Sequence, residues 1–326
     1  MKEVKITNKE QHQRLDKFLL KYLNKASKGF VYKMLRKKRI KYNGKKAEGN
    51  EILKEGDCLQ FYLSEETMYG FMQEKTLHKA KRHFGIIYEN DDLLVVSKPA
   101  GLLVHPEKEG QNETLIDQIL YYLYEKGQYQ PCKESTFIPA ICNRLDRNTS
   151  GIVIAGKNLK AVQAVNEAIA KGKIEKYYMV LVQGNVSTEE KMVSYLKKDD
   201  MENKVALYQK DGEGRKKIVT KYKPIAKAKD MTLLEVELLT GRSHQIRAQM
   251  QAIGHSVAGD RKYGNNEWNK MFAEKFALSN QFLHAYRMVW RQKEGDLAYL
   301  AQKQWIAPLP KQLQAIYDFY FKPSKE

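Results

Sequence analysis

The sequence predicts two α+β units in tandem, a small basic one at 1–64 and a larger one at 84–326, joined by a polar linker at 65–83. Three observations carry this. A chain of 326 residues has room for a small domain and a second with a sizeable core. Within the first unit, apolar residues recur at helical spacing and then in alternation. Beyond residue 84, short apolar runs of strand length alternate with longer stretches of helical period, which implies a sheet with helices packed on it.

In the first unit, Leu15, Phe18, Leu19, Tyr22 and Leu23 stripe one face of a helix. Ser27 is a natural N-cap for a second helix, whose apolar side carries Val31, Met34 and Leu35. Residues 40–45 alternate as a strand running into the Asn43-Gly44 turn. The Glu55-Gly56-Asp57 turn then opens a strand with Leu59, Phe61 and Leu63. The linker is polar, with a weakly apolar patch at 68–72 and cations at Lys79, Lys81 and Arg82. In the larger unit, strands are expected at 93–96, 152–155, 177–182 and 232–239, and helices at 114–124, 159–170 and 242–253. A last helix follows Pro310, with Leu313, Ile316, Tyr317 and Tyr320 on one face.

Lys and Arg total 57 against 39 Asp and Glu, a net charge of +18. Self-repulsion of that size is tolerated when a polyanion neutralises it, so nucleic acid or an anionic membrane surface is the natural partner, with nucleic acid favoured. Lys28, Lys33, Arg36, Lys37 and Lys38 crowd the second helix and its exit, and Asp16 is the only acid between Arg14 and Lys46. So unbalanced a run reads as a phosphate-contacting face rather than as a merely solvated one. No apolar run approaches the ~20 residues of a spanning helix, and Met1-Lys2-Glu3-Val4-Lys5 does not open a signal peptide. Three cysteines (Cys58, Cys132 and Cys142) without a CxxC pair argue against a disulfide framework or a zinc site, and point to a reducing cytoplasm. Neither a nucleotide phosphate loop nor a dinucleotide fingerprint nor a metal constellation is present, so chemistry without a cofactor is expected.

The segment Asn143-Arg144-Leu145-Asp146-Arg147-Asn148-Thr149-Ser150-Gly151 is the most informative. Two arginines flank a carboxylate just before a buried strand and favour its charged form, and Thr149, Ser150 and Gly151 suit a tight turn. Arg14-Leu15-Asp16 repeats the tripeptide without that context, and there Asp16 reads as a helix-start or surface carboxylate.

This segment resembles the signature of pseudouridine synthases of the ribosomal large-subunit type, the RluA family. Lys98-Pro99-Ala100-Gly101 through His105-Pro106, Lys176-Tyr177-Tyr178, Thr240-Gly241-Arg242-Ser243-His244-Gln245-Ile246-Arg247, Gly259-Asp260, Tyr263-Gly264 and Leu283-His284-Ala285 match in order. The first unit resembles the small RNA-binding domain of ribosomal protein S4. One position departs: Asn143 stands where the family usually has His, and altered hydrogen bonding rather than lost catalysis is expected.

The resemblance implies an S4-like module followed by a catalytic domain on a mixed, mostly antiparallel sheet, acting on RNA; the sequence does not encode an oligomeric state, and a monomer is the default expectation. Ribosomal RNA is favoured, with transfer RNA as the alternative. It implies that Asp146 is the nucleophile or base that lets uracil leave its sugar, turn, and rejoin through carbon 5. Arg144 would fill the gap left by the flipped base, and Tyr178 would stack on that base. Arg242 or Arg247 would hold a phosphate or pair with Asp146. Read on their own, Tyr178 is a core residue before a catalytic one, Arg242 and Arg247 are surface residues at a helix start, His244 is structural, Lys98 a turn-shaping residue, and Cys142 a small buried side chain. Two rivals are an RNA-binding protein whose catalytic site has decayed and a DNA-binding regulator using the first two helices.

Overall fold

The computed structural model describes residues 1–322, apart from 9, 73–76, 109–110, 112, 132–135 and 200–203. Cys132 and the middle of the linker lie outside the described residues; Cys58 and Cys142 are free thiols.

The first unit runs β1 (Lys2–Lys5), α1 (Leu15–Tyr22), α2 (Lys28–Arg36), β2 (Ile40–Tyr42), β3 (Lys45–Lys46), β4 (Cys58–Phe61) and α3 (Glu65–Gly70), with strand order β1-β4-β2-β3. Local chemistry dictates several of these boundaries. The Ser27 hydroxyl accepts the Phe30 N–H at 3.1 Å and starts α2. Asn43 and Gly44, at φ 48° and 76°, make the two-residue turn that pairs Tyr42 with Lys45, in the twist sense a hairpin needs. The stripe of α1 packs with Val31, Leu35, Leu59 and Phe61 in one core.

Two expectations need correction. The stretch expected to begin the linker forms α3, capped by Ser64, and it buries Met68 and Met72 in the first core. Its acidic first turn hides the apolar spacing in a polar-looking sequence. Asp16 starts α1 but is not a surface carboxylate: it is buried and accepts from Arg14 Nη2 at 3.0 Å and the Tyr32 hydroxyl at 2.8 Å.

The second unit continues with β5 (Gly85–Glu89), β6 (Leu93–Lys98), α4 (Leu115–Glu125), β7 (Ala140–Ile141), β8 (Ser150–Gly156) and α5 (Leu159–Ala170). Then come β9 (Ile174–Gln183), β10 (Glu190–Asp199), β11 (Lys204–Tyr208), β12 (Lys216–Ala228), β13 (Met231–Leu238) and α6 (Gln245–Ala252). Last are α7 (Asn266–Phe276), β14 (Leu283–Trp290), β15 (Gln304–Ile306) and α8 (Lys311–Phe321). One sheet runs β11-β10-β12-β13-β9-β14-β8-β6-β5, with β15 on β14 and β7 on β8. Among the described strands the pairing is antiparallel throughout except between β8 and β14, where Ser150 lies opposite His284 and Gly151 opposite Ala285. The sheet is therefore mixed and mostly antiparallel, as expected.

Helices cover both faces. On one, Leu115, Ile119 and Leu123 of α4 and Ile246 and Met250 of α6 pack on Val153, Tyr178, Val180 and Val236. On the other, Ala161, Val165 and Ala168 of α5 lie on Ile152 and Ile154, and Phe272, Leu313 and Ile316 lie on Leu181 and Leu233.

Candidate active site

Asp146 stands in the turn between β7 and β8, and three fastenings hold that turn. The Thr149 N–H donates to the Asp146 carbonyl at 3.1 Å, while the Thr149 hydroxyl accepts from Gln281 Nε2 at 3.1 Å. His284 Nε2 lies 3.1 Å from the Ala307 carbonyl, which can only accept, so Nε2 carries the ring proton. Nδ1 is then left to accept from the Ser150 hydroxyl at 2.8 Å. Burial pushes the pKa of His284 down to about 4 and keeps that ring neutral. Gly151, at φ 121°, lets β14 approach: a Cβ there would run into the carbonyl oxygen of Ala285. Asn143 braces the turn from the other side. Its Oδ1 accepts the Ile154 N–H at 2.8 Å and its Nδ2 donates to the Ile152 carbonyl at 3.1 Å, so the amide imitates a strand partner.

Lys98 does more than shape a turn. It is fully buried, and its ammonium donates to the carbonyls of Pro99 (2.9 Å), Leu102 (2.7 Å) and Arg147 (2.9 Å). The loop after β6 is thereby strapped to the residue following Asp146. Burial lowers the lysine's pKa to about 7, with the Asp146 charge opposing.

Neither flanking arginine pairs with Asp146. Arg147 Nε donates to the Gly101 carbonyl at 3.1 Å. Arg144 is exposed, with no side-chain hydrogen bond or ion pair among the described residues; it lies beside half-buried His105, whose pKa burial and then Arg144 lower. The partner is Arg247, whose Nη1 is 3.0 Å from Asp146 Oδ2. Its Nε and Nη2 grip buried Asp260 at 2.6 and 2.9 Å. Burial works against the Arg247 charge, and the two carboxylates, Asp260 first, outweigh it. Asp260 Oδ1 also accepts the N–H groups of Lys262 and Tyr263 at 2.9 and 3.1 Å.

Arg242, expected alongside Arg247, is exposed and three residues upstream of α6. The spacing predicts a helix from 242; it begins at Gln245 because His244 takes a left-handed φ of 55°. That turn sends Arg247 inward and leaves Arg242 outside. His244 Nδ1 lies 3.0 Å from the Tyr263 hydroxyl and Nε2 4.0 Å from Asp146 Oδ2, so this histidine borders the site. Tyr178 is buried in the core; burial, then the Asp146 charge, raise its pKa well above a tyrosine's ordinary value. Lys28, Lys33, Arg36, Lys37 and Lys38 are all exposed on α2 and its exit, far along the chain from Asp146. Lys33 and Arg36, with Lys46, border an open groove of about 360 Å³.

Sequence reasoning leaves Asp260 and Tyr263 without roles although both lie in matched segments. The arrangement presents a carboxylate 23% exposed, backed by a locked guanidinium and placed within electrostatic reach of a buried tyrosine. Such a group can attack or take a proton on its open side.

Residues 92–252 match the model of the RNA pseudouridylate synthase family and residues 13–58 the S4 domain. An uncharacterized RNA pseudouridine synthase of Mycoplasma genitalium is 31% identical over 89% of each chain. The ribosomal large subunit pseudouridine synthase D of Zymomonas mobilis is 31% identical over 71% of each. The corresponding synthase C of Vibrio parahaemolyticus is 27% identical over 93% of this chain and 91% of that one. Among solved structures, human RNA pseudouridylate synthase domain containing 4 superposes at a TM-score of 0.56 with 19% identity, covering 72% of this chain and 91% of that one.

Proposed function

The chain belongs to the RNA pseudouridylate synthase family, and from that premise we propose that it isomerises specific uridines of large-subunit ribosomal RNA with Asp146 as its essential group and no cofactor. The observation that carries this reading is the Asp146 carboxylate itself, open to solvent on one side and gripped on the other by Arg247. The reaction needs no redox change and no donor. Asp146 acts as nucleophile or base while uracil leaves C1′, turns, and rejoins through carbon 5, and the proton on carbon 5 departs to solvent.

Arg247 holds Asp146 in place. Tyr178 supplies a ring for the base, Arg144 enters the space the flipped nucleotide vacates, and Arg242 contacts phosphate. Lys28, Lys33, Arg36, Lys37 and Lys38 add sequence-independent affinity. The choice of ribosomal RNA is supported by relatives named as ribosomal large subunit synthases. No described helix is long and apolar enough to cross a membrane; a cytoplasmic monomer is part of the proposal.

The test is tritium release from RNA labelled at carbon 5 of uracil, with ribosomal and transfer RNA lacking pseudouridine in parallel. Release from ribosomal RNA that Asp146→Asn abolishes supports the reading. Release from transfer RNA alone overturns the substrate, and tight binding without release from either overturns the activity.

A further inference from the structure

Three Lys or Arg residues are buried among the described residues, and each has its counter-group. Lys98 has three carbonyls, Lys157 has the Asn90 carbonyl at 2.6 Å and Glu89 at 3.3 Å, and Arg247 has two carboxylates. Half-buried Lys176 is different. It makes no side-chain hydrogen bond or ion pair among the described residues, and burial lowers its pKa with no carboxylate to offset it. A cation withdrawn from water without a partner is costly to keep unless a ligand supplies the missing charge.

Its location says which ligand. Lys176 precedes Tyr178 by two positions on β9, so both side chains leave the same face of the sheet. Its ammonium lies 3.8 Å from where a Cβ on Gly241 would stand, against the loop whose next residue is Arg242. Arg242 is itself exposed and has no side-chain partner among the described residues. Lys176 thus adjoins the loop that carries Arg242, two residues along β9 from Tyr178, whose hydroxyl feels the Asp146 charge.

Resting on the RNA-modifying reading above, we infer that Lys176 and Arg242 clamp a backbone phosphate of the RNA at the edge of the site. Lys176 supplies a compact point charge from the sheet face, and Arg242 a planar fork from the loop. The absence of a side chain at Gly241 leaves the space between them open.

The experiment is RNA binding as a function of salt, read by titration of an unmodified large-subunit ribosomal RNA transcript. Lys176→Met is expected to weaken binding about tenfold near 0.1 M salt and to flatten the slope of log affinity against log salt by about 0.7 to 1. Lys176→Arg restores most of that slope, and Lys176→Met/Arg242→Gln flattens it by about twice as much. Removing an unpaired cation leaves the melting temperature of the free protein unchanged or raised. Unchanged affinity and slope in Lys176→Met overturn the inference, and so does a lowered melting temperature that accounts for the loss. Binding is read apart from turnover, so a wild-type protein with a Lys176-dependent slope but no tritium release overturns the isomerase and supports the clamp.

Discussion

Asp260 holds Arg247 in a two-pronged ion pair, Nε to Oδ2 at 2.6 Å and Nη2 to Oδ1 at 2.9 Å, with no part of the carboxylate in contact with solvent. The geometry assigns the two acids of the site to different tasks. Asp260 is the anchor, and Asp146 is the group left with a free side.

Asp260→Asn therefore leaves a buried guanidinium without its inner counter-charge and is expected to cost about 3 kcal/mol of stability. Asp146→Asn, at a more accessible position with Arg247 still anchored, is expected to cost under about 1 kcal/mol. Urea unfolding of both variants checks the contrast. Equal losses would show that the two carboxylates share the load.

Gly151 and Gly101 both have positive φ, 121° and 87°, yet a side chain would meet the Ala285 backbone at one and nothing at the other. Gly151→Ala is expected to cost more than about 3 kcal/mol or to prevent folding, since backbone cannot yield as a side chain can. Gly101→Ala should cost about 1 kcal/mol, from backbone strain alone. Melting temperatures and soluble yield separate them.

Asn143→His keeps at most one of the two backbone bonds, because the two imidazole nitrogens face away from each other whereas both amide atoms face β8. The expected outcome is a loss of about 1 kcal/mol, with tritium release within threefold of the parent protein. A much larger fall in release, with stability intact, would place Asn143 in the chemistry instead of the bracing.

His284 gives a pH signature. Its folded pKa, about 4, lies below the ordinary histidine value near 6.5, so between those values the unfolded chain binds a proton that the folded one refuses. Its contribution is full above pH 6.5 and is lost as pH falls towards 4, a swing of about 3 kcal/mol. Unfolding free energy measured at pH 4.5 and 7 should show that slope, and His284→Gln should reduce it.

Much of this was legible from patterning. The all-apolar run of β8, the helical period of α5, the Ser27 cap and the Asn43-Gly44 turn rest on local chemistry, and the sequence alone predicts them at their observed places. The strands β10 and β12 were not. Their outward positions are largely lysine, and their inward ones include Ser194 and Thr220, whose burial is satisfied by Gln249 and Gln245 from α6. Gln245 and Gln249 likewise look like a polar helix face, with Arg247 on another side, yet all three are buried once the left-handed turn at His244 sets the direction of α6. The choice between Arg242 and Arg247 was thus a question of backbone direction, which composition does not encode.

The parallel β8–β14 pairing has a bearing on biosynthesis. Ser150 and His284 are 134 positions apart, so the loop that carries Asp146 stays unfinished until β14 has left the ribosome. The first core is complete by Met72, roughly 200 residues earlier, or about 10–40 s at ~5–20 residues per second. Its farthest strand pairing, β1 with β4, joins residues no more distant than Lys2 and Phe61, and closure of the β8–β14 pair is the slow, long-range step. A nascent chain thus exposes a finished, cationic S4 domain well before the turn that carries Asp146 is locked against β14.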